Sequence, residues 1–152
     1  MNFELKKIYN NDHLEFYISE TKTSIKLPYY EGGISAGFPS PAEDFMDSKI
    51  DLNNLLVDNP ASTYYVRVFG DSMKGAGIIS GDLLVVDRSL EISNKCIVVA
   101  HIDGEFTVKR IKKSKTKMFL KAENKNYKDI EINEEMDFHL FGVVTHAIHH
   151  LL

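Results

Sequence analysis

Ile97-Val98-Val99-Ala100-His101-Ile102-Asp103-Gly104-Glu105-Phe106-Thr107-Val108-Lys109-Arg110-Ile111 consists of two runs rich in β-formers on either side of Asp103-Gly104. A two-residue hairpin turn of the primed type needs positive φ at both central positions, and Asp-Gly supplies both. The stretch therefore predicts an antiparallel hairpin. Upstream, Tyr64-Tyr65-Val66-Arg67-Val68-Phe69 is aromatic and β-branched, and Leu83-Leu84-Val85-Val86 follows the turn Ser80-Gly81-Asp82. Downstream, Phe119-Leu120, Ile130-Glu131-Ile132 and Phe138 to Ile148 complete seven short strands. Close turns between them predict a mainly β, compact and strongly bent sheet structure, not βαβ units.

The amino-terminal part reads differently. Leu14, Phe16 and Ile18, then Ile25 and Leu27, alternate with period two, which favours strands. Glu31-Gly32-Gly33-Ile34-Ser35-Ala36-Gly37 is glycine-rich and predicts a loop. With little helical periodicity, this arm does not suit a helix-turn-helix domain. After the loop, Ser40 can cap a helix, Pro41 suits its first position and Glu43 can reach back to the cap. A second short helix is expected from Leu52 to Val57 with Asp51 as its cap, ended by Asn59-Pro60.

Composition bounds the function. The chain has 152 residues, is 43% hydrophobic and carries a net charge of −4, so it is an ordinary globular domain with or without an arm. Mild acidity argues against a protein that simply coats nucleic acid. The single cysteine, Cys96, excludes an internal disulfide. No apolar run approaches the roughly 20 residues that cross a bilayer, and the first residues lack a signal-peptide core. A cytoplasmic location without membrane contact is expected. Charge is uneven: Lys109 to Lys128 holds eight Lys and one Arg against Glu123 alone. A solvated hairpin whose lysines discourage edge pairing explains this run, and a contact surface for nucleic acid or an acidic partner is the alternative.

Two positions can carry chemistry. Gly70-Asp71-Ser72-Met73 follows a predicted strand, where a glycine turn can hold a serine hydroxyl clear of the sheet. Backbone N–H groups of Ser72 and Met73 could then face a developing oxyanion. Such a turn is more often only a turn, and a serine nucleophile needs a base. None of His13, His101, His139, His146, His149 and His150 has an Asp partner fixed by spacing. The last three fit a strand end and tail, and lack a clear fourth ligand for a metal. Lys109 sits in a strand flanked by apolar residues. It is either an exposed edge charge or, if buried, an amine whose pKa falls from about 10.4 toward neutrality. A Ser–Lys pair is a known variant of nucleophilic hydrolysis. Ser35-Ala36-Gly37-Phe38, with a small residue before glycine, could enter a narrow cleft as extended backbone.

In order and spacing, Ala36 to Asp44, Gly70-Asp71-Ser72-Met73, Gly81 to Asp87, Asp103 to Lys109 and Phe141-Gly142-Val143-Val144 resemble the LexA/UmuD family of self-cleaving serine peptidases of the bacterial SOS response. The likeness runs from about Gly33 to Ile148. It implies the carboxy-terminal peptidase fold of that family, with a short helix after the cleavage segment. Ser72 would be the nucleophile, Lys109 the general base held neutral by burial, and Ala36-Gly37 the scissile bond. Residues 1–36 would be an arm removed by self-cleavage, and residues 37–152 the peptidase and dimerisation domain. The resemblance implies no cofactor and no metal. It implies stimulation by the RecA filament on single-stranded DNA, and a shortened product that acts as a homodimer with a UmuC-like polymerase subunit in translesion synthesis. The arm is longer than the family's usual UmuD leader, yet lacks the helices of a LexA DNA-binding domain. Three other readings remain: a regulatory subunit without enzymology, a LexA-like transcriptional repressor, and a peptidase acting on other proteins.

Overall fold

The computed structural model describes residues 5–10, 12–19, 24–29 and 48–152. They form, in chain order, β1 (Leu5–Asn10), β2 (Leu14–Ser19), β3 (Leu27–Tyr29), β4 (Ser48–Ile50), α1 (Leu52–Leu56), β5 (Thr63–Val68), β6 (Leu83–Asp87), β7 (Ile97–Ile102), β8 (Glu105–Lys113), β9 (Met118–Lys121), β10 (Ile130–Ile132) and β11 (Phe138–Ile148). The fold is mainly β, as the alternating patterns predict. The chain divides into two units, Met1–Glu20 with Asn59–Leu152, and Thr21–Asp58.

The larger unit is one antiparallel sheet in the order β1-β2-β5-β6-β11-β7-β8-β9-β10. The expected hairpin is β7–β8, with Asp103 at φ 49° and Gly104 at φ 92°, the conformation that selects this dipeptide. Side chains alternate along β7, so Val99 enters one apolar cluster while Val98 and Ala100 enter another. The first cluster contains Val66, Val68, Met73, Leu84 and Val108; the second contains Ile111, Leu120 and Val143. Strand β11 lies between β6 and β7, and register shifts on both its ladders fall between Leu140 and His146. Gly142 belongs to this bulged stretch, where a Cβ would press on Val86 and the Asp87 carbonyl.

The stretch expected as an arm contributes two strands to this sheet. β2 pairs with β5 in the register Leu14↔Val68, Glu15↔Arg67, Phe16↔Val66 and Tyr17↔Tyr65. Leu14 and Phe16 are 1% and 2% exposed and belong to the first cluster. Burial of two such side chains contributes about 1.5–3 kcal/mol each.

In the smaller unit, β3 and β4 pair antiparallel. α1 starts where expected, with the Asp51 carboxylate accepting from the N–H of Asn53 at 2.9 Å and from that of Ile25 at 3.0 Å. The helix expected after Ser40-Pro41 lies outside the described residues, as do Ala36 and Gly37.

Candidate active site

Backbone geometry at the end of β5 presents Ser72. The Val68 N–H donates to the Asp82 carbonyl, the Phe69 N–H to the His13 carbonyl at 2.8 Å, and the Gly70 N–H to the Ser80 hydroxyl. Gly70 then takes φ +95°, which turns the chain out of the strand. Three residues on, Met73 is 2% exposed and anchors the turn in the core. Ser72 lies between, half-buried.

A second loop grips this turn from outside. The Asp71 carboxylate accepts from the Tyr127 hydroxyl at 2.6 Å and from the Asn124 amide at 3.0 Å. Tyr127's hydrogen bond is the main cause holding the Asp71 carboxyl below its ordinary range, against some desolvation. The Gly75 N–H donates to the Glu123 carbonyl at 2.7 Å. These partners come from the lysine-rich stretch. Elsewhere that stretch is ion-paired, Arg110 with Glu123 and Lys117 with Glu131, both at 2.6 Å.

Lys109 is brought to the serine by the sheet. It is 7% exposed, and its Nζ lies 3.0 Å from Ser72 Oγ, 2.8 Å from Thr107 Oγ1 and 3.0 Å from the Val108 carbonyl oxygen. Period-two alternation puts Thr107 and Lys109 on one face of β8. Across the ladder stand Ala100 and Val98, both with no exposure. This apolar surrounding disfavours the ammonium form, and burial pushes the Lys109 pKa down to about 8. The exposed edge charge, the other reading of this lysine, is thereby excluded.

Ser72 and Lys109 open into a cleft of about 600 Å³, also lined by His13, Phe69, Phe106 and Tyr127. Its volume and its mixture of apolar and polar lining side chains leave room for an extended peptide segment. Of the other histidines, His149 Nδ1 meets the buried carboxylate of Asp82 at 2.8 Å, His139 Nε2 meets Asp137 at 3.0 Å, and His146 meets the Thr145 hydroxyl at 3.1 Å. Among the described residues, no group of three His, Cys, Asp or Glu could hold a metal ion. None of their helices is long and apolar enough to cross a membrane.

Sequence reasoning missed Thr107, although its i, i+2 spacing from Lys109 on a strand puts the two on one face. It also missed Asp71, Asn124 and Tyr127 as a clamp, and His13 as a wall of the cleft. Those contacts span more than 50 residues, and no local signal marks them.

A family profile described as Peptidase S24-like matches residues 28–145. The chain is 40% identical over 123 residues to Protein ImpA of Escherichia coli, covering 80% of this chain and 83% of that one. It is 43% identical over 122 residues to Protein SamA of Salmonella typhimurium, covering 80% and 84%. It is 39% identical over 115 residues to the LexA repressor of Hahella chejuensis, covering 74% and 57%.

Proposed function

Since the chain belongs to the Peptidase S24-like family, in its LexA/UmuD group, we propose that it is an SOS-response protein that cuts itself between Ala36 and Gly37. Ser72 is the nucleophile and Lys109 the general base in this reading. The observation that carries it is a buried amine 3.0 Å from a serine hydroxyl, both lining a cleft of about 600 Å³.

The chemistry follows from the amine's three partners. As an ammonium, Lys109 donates to Ser72, Thr107 and the Val108 carbonyl. After losing one proton it keeps two N–H groups, which suit Thr107 and Val108, and its lone pair faces the Ser72 hydroxyl. It then takes the hydroxyl proton as Ser72 Oγ attacks the Ala36 carbonyl carbon. Backbone N–H groups of Ser72 and Met73 stabilise the oxyanion. Collapse breaks the Ala36–Gly37 bond, and Lys109 returns the proton to the leaving Gly37 amine. Water, activated by the same lysine, hydrolyses the Ser72 ester and leaves a carboxylate on Ala36. Because nucleophile and scissile bond share one chain, no second molecule has to be captured.

A RecA filament on single-stranded DNA stimulates the cut by favouring the arrangement in which the cleavage segment occupies the cleft. The shortened product acts as a homodimer with a UmuC-like polymerase subunit in copying past damage. Both roles extend the family reading to this chain.

Purified full-length chain, incubated at alkaline pH, should split into pieces of 36 and 116 residues. Ser72→Ala and Lys109→Ala should each slow this by at least about a thousandfold. Intact-mass spectrometry reads both outcomes. Cleavage at the parental rate in either variant would overturn the assignment, and a faster cut on adding RecA with single-stranded DNA would support the regulatory part.

A further inference from the structure

The hairpin β1–β2 lies ahead of the residues that the family profile matches, yet it is built into the peptidase sheet. Three observations tie it there. β2 continues the sheet at β5 through four residue pairs, so its backbone groups satisfy those of β5. Phe16 is almost fully buried, with ring centroids 4.7 Å from Phe106 and 4.9 Å from Phe141, while Tyr9 lies 5.0 Å from Phe106. The turn between β1 and β2 accepts the Phe69 N–H on the His13 carbonyl, three residues before Ser72. His13 and Phe106 then line the cleft. The proposed scissile bond belongs to the other unit, Thr21–Asp58, between this hairpin and β5 in sequence.

The geometry points to a leader that is cut but not lost: residues 5–19 stay in the sheet as a separate chain and keep forming one wall of the cleft beside Ser72. Departure would strip β5 of one of its two ladder partners and uncover Val66, Val68, Phe106 and Phe141 to water. Among the described residues, the pairing of β2 with β5 and the ring contacts of Phe16 and Tyr9 involve neither Ala36 nor Gly37. The active protein is then a two-piece body, in which the face of β5, Phe106 and Phe141 is a binding surface for its own leader peptide. The position of the cut rests on the self-cleavage reading; the retention does not.

The test separates the two. In full-length Ser72→Ala chain, residues 33–38 are replaced by the recognition sequence of a site-specific endoprotease, and the chain is nicked there. In native gel filtration the two pieces should elute together and separate only in guanidinium chloride. A leader piece that elutes alone in buffer overturns the inference. The same measurement on the self-cut parent should give the same result; a parent that does not cut itself counts against the dyad, and the nicked variant still decides retention. In the nicked chain, Phe16→Ala should weaken retention by at least about tenfold. Retention undiminished by that substitution would overturn the aromatic anchoring. Slow amide exchange of β2 in the nicked parent reports the same contact without a variant.

Discussion

Lys109 depends on what surrounds it. Val98 faces it across the ladder, with Ala100 opposite Thr107 on the same face, and burial alone brings its pKa to about 8. A lysine in water keeps its proton far above that. As the proposed base it works only when neutral, so the self-cleavage rate should rise with pH through about 8 and level off about two pH units higher. A rate-against-pH profile of the purified chain tests this, and a rate that falls over the same interval would remove Lys109 from the role. The lysine was legible in the sequence as one of two alternatives, exposed charge or buried amine. Deciding between them required its packing, since desolvation comes from neighbours on β7 that no spacing within β8 specifies.

Among the elements, the turn after β5 is held from both ends. Inside, Met73 is in the core; outside, Gly75 touches the loop that carries Glu123, Asn124 and Tyr127. A Cβ at Gly75 would run into the Glu123 carbonyl oxygen, and that atom is backbone, which does not swing away. Gly75→Ala should therefore cost about 1–3 kcal/mol of stability. It should also slow self-cleavage, because the turn presenting Ser72 must separate from its clamp. Chemical denaturation and the fragment assay read the two effects. Element positions themselves were largely legible: β11 spans Phe138–Ile148 as its pattern predicts, the Asp103-Gly104 turn has the expected dihedrals, and Asp51 caps α1. Period-two alternation, primed-turn dipeptides and side-chain caps act within a few residues, so a linear reading captures them.

For the whole molecule, the buried amine couples chemistry to stability. Its pKa is about 8 folded and near 10.5 unfolded, so between those values the unfolded chain holds more protons. Stability should accordingly rise as pH increases from about 8 to about 10.5, with no change from this group below that window. Lys109→Met should lose that rise and stand above the parent in stability near pH 7. Paired denaturation curves across the window check it, and parallel curves for parent and variant would show that the lysine is solvated. The same scale separates what each level of description decided. The sequence by itself determined where strands begin, where they turn and which motifs carry a hydroxyl and an amine, because those follow from local periodicity and backbone preference. Only the tertiary structure decided that β2 lies against β5, that Ser72 and Lys109, 37 positions apart in sequence, meet, and that the amine is desolvated. Strand order and dielectric surroundings are set by long-range burial, which no short stretch of chain encodes alone.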